Sequence, residues 1–344
     1  MGSGLRLAGL DDPVRRDDLD GDNWPITWAG DDRQYAAYGD GWGCRPVERH
    51  TKLNTGMVRL SGNPPGFCGE EQPMPWFGGG AQDPNLKGCG LLAVDGVLYH
   101  FLRLQVDVPG RAQRRQLASG LIWSRDLGGT WEGMTYAAEA RDLQLFFEEP
   151  DHAFHSPTFL QAGQDYALAQ DGFVYLYSPR EDERRRNDHL DLARVPRDRV
   201  TERGAYEFFA GMEGNDRASW TRDVGARVPV LRFPGHIAPG DVVFHSPSGR
   251  YLLLTCQSWE SVKEAPSQLA FFDAPHPWGP WTQVGYVSAW GSGRDGDCRY
   301  DPRLPVKWIA PDGMSCILVY SDRTRSDVLN YQGVRFTSAG TEAR

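Results

Sequence analysis

Five pairs of short apolar strands recur along the sequence, and a turn that contains glycine joins each pair. The pairs are, in chain order, PITWAGDDRQYAAYG, GLLAVDGVLYHFLRL, PTFLQAGQDYALAQ, DVVFHSPSGRYLLLTC and PVKWIAPDGMSCILVYS. Their turn glycines lie 64 to 86 residues apart, at Gly30, Gly96, Gly163, Gly249 and Gly313. A repeat of this length with apolar strands is typical of a β-propeller, because each inner strand is buried between neighbouring blades. The sequence therefore predicts an all-β fold, a five-bladed β-propeller that forms a single domain over residues 1–344.

The predicted blades begin near residues 22, 88, 155, 241 and 303, and a strand from one end of the chain is expected to complete the last blade. Two further stretches favour blades. SRDLGGTW at 124–131 fits the Asp-box turn of sialidase-like propellers, in which Asp126 would accept hydrogen bonds from turn amides. FFDAPHPWGPWTQV at 271–284 resembles an outer-strand turn of five-bladed glycosidases.

Four stretches that span most of the chain together resemble the family called domain of unknown function 4185. They are GDNWPITWAGDDRQYAAYGDGWG, DLARVPRDRVTERGAYEFFAG, APHPWGPWTQV and PVKWIAPDG. The resemblance implies a five-bladed propeller related to glycoside hydrolases. Some members are endo-D-arabinanases, so it also implies hydrolysis of a carbohydrate such as an arabinan. The chain departs from the family at His155, where many members have a small residue before the PTF segment.

The ends of the predicted strands indicate which side chains line the cleft. In a propeller blade the inner strand begins at the cleft face, and the second strand returns to that face. The polar residues at these positions are Asp20, Asp22, Asp40, His155, Asp171, Asp241, Glu260, Asp301 and Asp322.

Glycoside hydrolysis requires one carboxyl group that donates a proton and one that attacks the sugar or activates water. Asp22 is the predicted base or nucleophile, because related arabinanase-like propellers place an aspartate at the start of the first inner strand. Asp171 is the predicted acid, with Asp40, Asp241 and Glu260 as rivals. The structural alternatives are a turn or cap role for Asp22 and a hairpin-turn role for Asp171.

Other residues near the predicted cleft are candidates for binding sugar. An indole ring suits a sugar face because it has an apolar surface and a polar edge, which makes Trp24 and Trp42 candidates for stacking. His155 has four alternatives, which are hydrogen bonding to a sugar, tuning of an adjacent acid, contact with a central ion and a purely structural role. The full predicted set is Asp20, Asn23, Trp24, Trp42, His155, Arg303 and Asp322.

Composition and charge exclude several classes of partner. The formal charge of −9 disfavours binding to nucleic acid, which depends on neutralisation of phosphates by Lys and Arg. No run of about 18 apolar residues is present to span a membrane. The six cysteines have no zinc-site spacing, and disulfides and buried thiols both remain open. We expect no cofactor, although a structural or central Ca²⁺ is compatible with the fold.

Two other functions remain compatible with the sequence. A polysaccharide lyase acting on a uronate glycan would use His155, Tyr300 and Arg303, and a glycan-binding propeller would use the cleft without chemistry. We expect a carbohydrate partner and a monomer, because propellers bury their own strand edges. A secreted or periplasmic location, with a signal peptide absent from this sequence, is expected for an enzyme of this kind.

Overall fold

Nearly all regular structure in this protein is β-strand. The computed structural model describes residues 4–46, 52–75, 85–107, 114–137, 142–181, 187–214, 216–238, 240–257, 266–291, 298–322 and 327–338. The helical elements in these ranges are 3-10 turns of three residues each, at Gln164–Tyr166, Arg203–Ala205, Val224–Ala226 and Val306–Trp308. The predicted all-β class is therefore confirmed.

The strands follow one another in five antiparallel groups. The chain begins with β1 (Leu5–Leu10) and β2 (Val14–Asp22). The first group then contains β3 (Ile26–Trp28), β4 (Gln34–Cys44), β5 (Gly56–Ser61) and β6 (Cys68–Gln72). The second contains β7 (Asn85–Val94), β8 (Val97–Asp107), β9 (Arg114–Ser124) and β10 (Glu132–Gly133), and the short pair β11 (Tyr136–Ala137) and β12 (Asp142–Leu143) follows it.

The remaining three groups have the same antiparallel order. The third contains β13 (Thr158–Gln161), β14 (Phe173–Glu181), β15 (Asn187–Pro196), β16 (Glu207–Glu213) and β17 (Arg217–Thr221), and β18 (Leu231–Arg232) pairs with β15. The fourth contains β19 (Asp241–His245), β20 (Arg250–Cys256), β21 (Leu269–Ala274) and β22 (Thr282–Val287). The fifth contains β23 (Arg299–Arg303), β24 (Ser315–Asp322) and β25 (Val328–Ser338).

The N-terminal strand completes the fifth group. Strand β1 pairs antiparallel with β25, from Leu5 opposite Ser338 to Leu10 opposite Val334. Strand β2 then pairs antiparallel with both β25 and β4, and so links the fifth group to the first. The prediction that a terminal strand completes the last group is confirmed.

The first strands of neighbouring groups lie side by side. Strands β13 and β19 are parallel, with Leu160 opposite Val242. The Gln161 side chain donates a 2.8 Å hydrogen bond to the Leu91 carbonyl, and Thr27 Oγ1 accepts a 2.9 Å bond from the Ala93 amide. These contacts align β3, β7, β13 and β19, so that their N-terminal ends face the same side of the molecule.

Apolar cores lie between successive groups. One core joins Tyr35 of the first group to Leu91 of the second, and another joins Val243 of the fourth group to Leu318 of the fifth. A strand buried on both faces carries a continuous apolar run rather than an alternating one, which explains sequences such as RYLLLTC in β20. Burial between groups therefore provides most of the apolar contact.

Two of the five predicted hairpins are wrong in detail. Residues 166–170, predicted as the second strand of the third pair, belong to the turn, and β14 begins only at Phe173. The turn contains Asp165 and Tyr166 with positive φ, which is incompatible with a strand. In the fifth pair the predicted first strand is the 3-10 turn Val306–Trp308, and β23 provides the partner of β24 instead.

The predicted Asp-box turn has the expected hydrogen bonds. Asp126 Oδ1 accepts a 2.8 Å bond from the Thr130 amide, and Asp126 Oδ2 accepts a 2.8 Å bond from the Thr130 hydroxyl. These bonds to Thr130, together with one from Ser124, lower the pKa of Asp126. Asp126 therefore stabilises the turn. No helix among the described residues is long and apolar enough to cross a membrane.

Candidate active site

Asp22 lies where β2 ends and the chain enters the first strand group. It is opposite Gly39 of β4 in the strand register. A Cβ atom at position 39 would lie 2.7 Å from Asp22 Oδ1, closer than any ordinary contact. Because Gly39 has no side chain, the Asp22 carboxyl group has room to lie against β4.

Two carboxyl groups, a tyrosine and a lysine surround Asp22. The Tyr300 hydroxyl lies 2.8 Å from Asp327 Oδ1 and 3.3 Å from Asp22 Oδ2. A hydroxyl has one proton to donate, so it can serve only one of these carboxylates at a time. Lys87 forms an ion pair with Asp40, and the Asp40 side chain is 50% exposed whereas that of Lys87 is 5% exposed. Asp40 is therefore the carboxylate of this cluster that faces solvent beside a buried cation.

The surroundings raise the pKa of Asp22 to about 7. Removal from water is the largest cause, and the negative charges of Asp40 and Asp327 add to it, while Lys87 opposes them. Burial also lowers the pKa of Lys87, and Asp40 works against that effect. Near neutral pH, Asp22 therefore holds a proton that an ordinary aspartate would have lost.

Arg303 connects four of the strand groups beside this cluster. Its side chain is completely buried, and it donates 2.8 Å and 2.7 Å hydrogen bonds to Asn23 Oδ1 and the Gly240 carbonyl. Asn23 in turn donates from its amide to the Gly88 carbonyl. Asn23 has a positive φ of 51°, a conformation that asparagine tolerates better than most residues. Arg303 and Asn23 therefore hold the strand ends that surround Asp22.

Two further buried carboxyl groups lie around Arg303. Asp241 accepts a 3.0 Å hydrogen bond from the Leu304 amide. Burial raises the pKa of Asp241 to about 6, and Arg303 limits the rise. Burial also raises the pKa of Asp301, which Arg103 and Arg303 oppose. Asp241 can therefore also retain a proton in mildly acidic solution.

His155 is held in one tautomer next to the first strand of the third group. Its Nδ1 lies 3.0 Å from the His152 carbonyl, so Nδ1 carries the proton and Nε2 is an acceptor. Burial lowers the pKa of His155 to about 4, and the ring is therefore neutral at physiological pH. His155 can accept a hydrogen bond but cannot supply a positive charge.

Asp171 and Asp20 do not join this cluster. Asp171 is exposed in the β13–β14 turn, where it accepts bonds from the Phe173 amide at 3.0 Å and the Tyr175 hydroxyl at 2.6 Å. It lies in that turn because the predicted second strand begins only after it. Asp20 is buried, and it forms a 2.5 Å ion pair with Arg45. Both side chains are occupied by local contacts that stabilise the fold.

Trp24 belongs to the core, not to a cleft wall. It is completely buried, donates a 3.1 Å hydrogen bond to the Gly21 carbonyl and packs against Tyr38. The predicted stacking of Trp24 on sugar is therefore corrected, because a buried ring has no free face. Trp42 is half-buried, and its amide donates a 3.0 Å bond to Asp20 Oδ1.

Two other predicted site residues cannot be placed in the cluster. Asp322 is at the end of β24, opposite Arg299 and Val328 in the strand register. Glu260 lies outside the described residues.

The prediction of cleft residues from strand ends missed three charged residues near Asp22, which are Lys87, Asp327 and Arg103. The sequence could have indicated Lys87, because it is the one charged residue in the mainly apolar strand NLKGCGLLAV. Asp327 precedes β25, the third strand of the fifth group, and the prediction considered only the start of the first strand and the end of the second. No three His, Cys, Asp or Glu side chains in the described parts of the chain have metal-site geometry.

The sequence matches one family model. A model described as Domain of unknown function (DUF4185) matches residues 91–302. No curated protein matches the sequence.

Several solved structures share the fold at low sequence identity. A candidate hydrolase from Bacteroides ovatus has a TM-score of 0.56 at 10% identity, over 91% of this chain and 85% of that one. A GH43_1 enzyme from Xanthomonas citri has a TM-score of 0.50 at 13% identity, over 97% and 92% of the two chains. The GH43 protein BlXynB from Bacillus licheniformis has a TM-score of 0.50 at 11% identity, over 95% and 54%. Because GH43 enzymes are propellers, the chain has a β-propeller-like fold.

Proposed function

Since the chain belongs to the DUF4185 family and shares a β-propeller-like fold with GH43 glycosidases, we propose that it is a glycoside hydrolase that reacts through Asp22. The observation that carries this proposal is the environment of Asp22. Its pKa of about 7, beside the exposed carboxylate of Asp40, supports acid–base chemistry near neutral pH.

The architecture that we propose is a single five-bladed propeller. Each of the five strand groups would be one blade, and β1 would close the ring by completing the fifth. The parallel contact between β13 and β19 supports this arrangement, because inner strands of adjacent blades run in the same direction. Radial repetition of blades leaves only short, protected strand edges at the outside of the ring, which supports a monomer.

Asp22 and Asp40 would be the reacting pair. Hydrolysis of a glycosidic bond needs one protonated and one ionised carboxyl group. Lys87 forms an ion pair with Asp40, whereas the removal from water and the charge of Asp327 favour the protonated form of Asp22. We therefore assign proton donation to Asp22 and the carboxylate role to Asp40. This assignment reverses the role of base or nucleophile that the sequence predicts for Asp22.

Asp241 is the rival for the proton donor. Its pKa is raised to about 6, and it approaches the centre from a different strand group. Its Oδ2 is occupied by the Leu304 amide, which favours a structural role.

The substrate would be a polysaccharide or oligosaccharide, and pentose-containing glycans are the first to test. The family resemblance implies a D-arabinan, and the Xanthomonas citri GH43_1 enzyme has been crystallised with xylotriose. Polymers of this kind are met outside the cytoplasm, which is consistent with export of the protein. A lyase is less well supported, because burial and nearby carboxylates raise the pKa of Tyr300, which therefore stays protonated and cannot act as the base of that reaction.

The proposal is tested by measuring reducing-end release from a panel of arabinan, xylan and uronate glycans. We expect cleavage by the wild-type protein and a loss of roughly 10²- to 10⁴-fold in kcat for Asp22→Asn, because the variant cannot transfer the proton. Asp312→Asn is the matched control, since Asp312 is an exposed turn residue that accepts a bond from the Met314 amide. Equal loss in both variants, or an ultraviolet-absorbing unsaturated product, would contradict the proposal.

A substrate with an activated leaving group separates the two carboxyl roles. A dinitrophenolate leaves without protonation, so Asp22→Asn should retain most activity on a dinitrophenyl glycoside of the released sugar. Asp40→Asn should lose activity on both substrates, because the sugar carbon still requires the carboxylate. The kcat/KM of the wild-type protein on glycan should fall as pH rises through about 7, since Asp22 then loses its proton. A rise through the same range would instead restore the base or nucleophile role.

A further inference from the structure

Arg103 lies directly opposite Lys87 in the second strand group. The strand register places Arg103 of β8 opposite Lys87 of β7 on one side and opposite Ser119 of β9 on the other. Ser119 Oγ donates a 2.7 Å bond to the Phe154 carbonyl, next to His155. Arg103 therefore stands between the Asp22 cluster and the His155 segment.

The two facing cations differ in their partners. Like charges opposite each other across strands repel, so each needs a compensating anion. Lys87 has Asp40 and, at 3.3 Å, Asn54 Oδ1. Among the residues that the structure describes, Arg103 has no ion pair within 4.0 Å, and its buried Nε has no hydrogen-bond partner. An unsatisfied buried guanidinium N–H is costly, and a ligand that accepts its hydrogen bonds would remove that cost.

The electrostatic reach of Arg103 shows which groups a bound anion would meet. Its positive charge contributes to the lowered pKa of His155. It also opposes the rise in the pKa of Asp301, which belongs to a different strand group. The guanidinium therefore acts on the centre of the molecule rather than on its outer surface.

We propose that Arg103 binds the carboxylate of an acidic sugar in the glycan, and that His155 Nε2 accepts a hydrogen bond from a hydroxyl of the same sugar. The proposal rests on the proposed function, because it assumes that the glycan occupies the space beside Asp22. The planar guanidinium fork matches the two oxygens of a carboxylate. Because Nδ1 of the neutral His155 ring donates to the His152 carbonyl, Nε2 is left as an acceptor for a sugar hydroxyl.

A carboxylate fits this place better than a phosphate monoester, which is largely a dianion at neutral pH. Among the described residues Arg103 has no anionic partner within 4.0 Å, and the buried carboxyl group of Asp301 lies within reach of its charge. A single negative charge can be neutralised by one guanidinium. A dianion would keep an excess negative charge next to buried carboxyl groups, which is unfavourable.

Equilibrium titration with D-glucuronate and with D-glucose tests the proposal without requiring hydrolysis. We expect the wild-type protein to bind glucuronate about 10- to 100-fold more tightly, the range for hydrogen bonds to a charged group. Arg103→Gln should bind the two sugars equally, and Arg103→Lys should keep part of the preference. Arg125→Gln is the control, because Arg125 is 64% exposed and pairs with Glu132 at 3.4 Å.

The outcomes distinguish this proposal from the proposed hydrolysis. Wild-type protein that binds both sugars equally or binds neither, or an Arg103→Gln protein that keeps the preference, would overturn the Arg103 site. Tighter binding of glucose 6-sulfate than of glucuronate would overturn the carboxylate assignment. A carboxylate preference without cleavage of any glycan would contradict only the hydrolase proposal, and cleavage without the preference would contradict only this one.

Discussion

At the scale of single residues, Asp22 shows how position changes the chemistry of an ordinary side chain. Its pKa rises because the chain places it out of water among Asp40 and Asp327, which are distant in sequence. The sequence could predict that Asp22 lies at a strand end. It could not predict Asp327 or Lys87 as neighbours, because those contacts depend on how the fifth and second strand groups are brought to the first.

The raised pKa of Asp22 predicts a pH-dependent stability. The folded protein retains a proton that the unfolded chain loses above about pH 4, so the free energy of unfolding falls as pH rises from about 4 to about 7. Asp22→Asn has no such loss. We expect the variant to be more stable than the wild-type protein at pH 8, on the order of 4 kcal/mol, and to show no advantage at pH 4. Thermal melting at both pH values measures this.

The control for the stability prediction is Asp312→Asn, in an exposed turn. It should show the same melting temperature difference from the wild-type protein at both pH values. A pH-independent gain in Asp22→Asn would mean that the ionisation of Asp22 is not what destabilises the folded state.

Gly39 provides a second residue-scale prediction. In Gly39→Ala, the new Cβ would lie 2.7 Å from Asp22 Oδ1, so the carboxyl group must move. We expect kcat to fall at least about tenfold, because small displacements of reacting groups cost large factors in rate. Gly172→Ala is a matched control, since no atom lies within 4 Å of the position that its new Cβ would occupy. Normal turnover in Gly39→Ala would argue that the position of Asp22 is not critical.

At the scale of elements, the third strand group shows the limits of reading hairpins from apolar runs. The run YALAQ is apolar enough for a strand, yet Gly163 and Asp165 have positive φ and turn the chain first. The hairpins of the first, second and fourth groups were predicted correctly, as for β7 and β8. Left-handed backbone at a non-glycine residue is the feature that the residue pattern did not reveal.

Asp171 gives the prediction that belongs to this element. Its carboxylate accepts bonds from the Phe173 amide and the Tyr175 hydroxyl at the start of β14. Asp171→Ala should therefore lower the free energy of unfolding by about 1 kcal/mol and leave kcat unchanged. Melting temperature and reducing-end release on the same preparation measure both effects. A large loss of kcat with unchanged stability would restore the acid role predicted from the sequence.

At the scale of the whole molecule, the pairing of β1 with β25 holds the first and last strands of the described chain together. Leu5 is almost completely buried and belongs to the core that joins the fourth and fifth groups. Removal of residues 1–10 would expose the edge of β25 and part of that core. We expect the truncated protein to melt at a markedly lower temperature and to associate in solution. Calorimetry and light scattering measure these effects, and Leu5→Ala should give a smaller loss of about 2–5 kcal/mol.

An unchanged melting temperature of the truncated protein would show that the pairing of β1 with β25 contributes little to stability.

The fivefold recurrence in the sequence predicts in general terms that a terminal strand completes the last group. Which terminus provides the strand depends on the register of β1 against β25, which the residue pattern alone does not define.

The pairing of β1 with β25 also has a consequence for biosynthesis. A ribosome releases β1 before β25, so β1 has no partner in this pairing until all the strands between them have emerged. During that interval the apolar side chain of Leu5 is exposed to chaperones and to other nascent chains. Because the two ends meet, a rearranged gene that joins them and starts translation at another surface turn should yield a chain that buries this strand earlier.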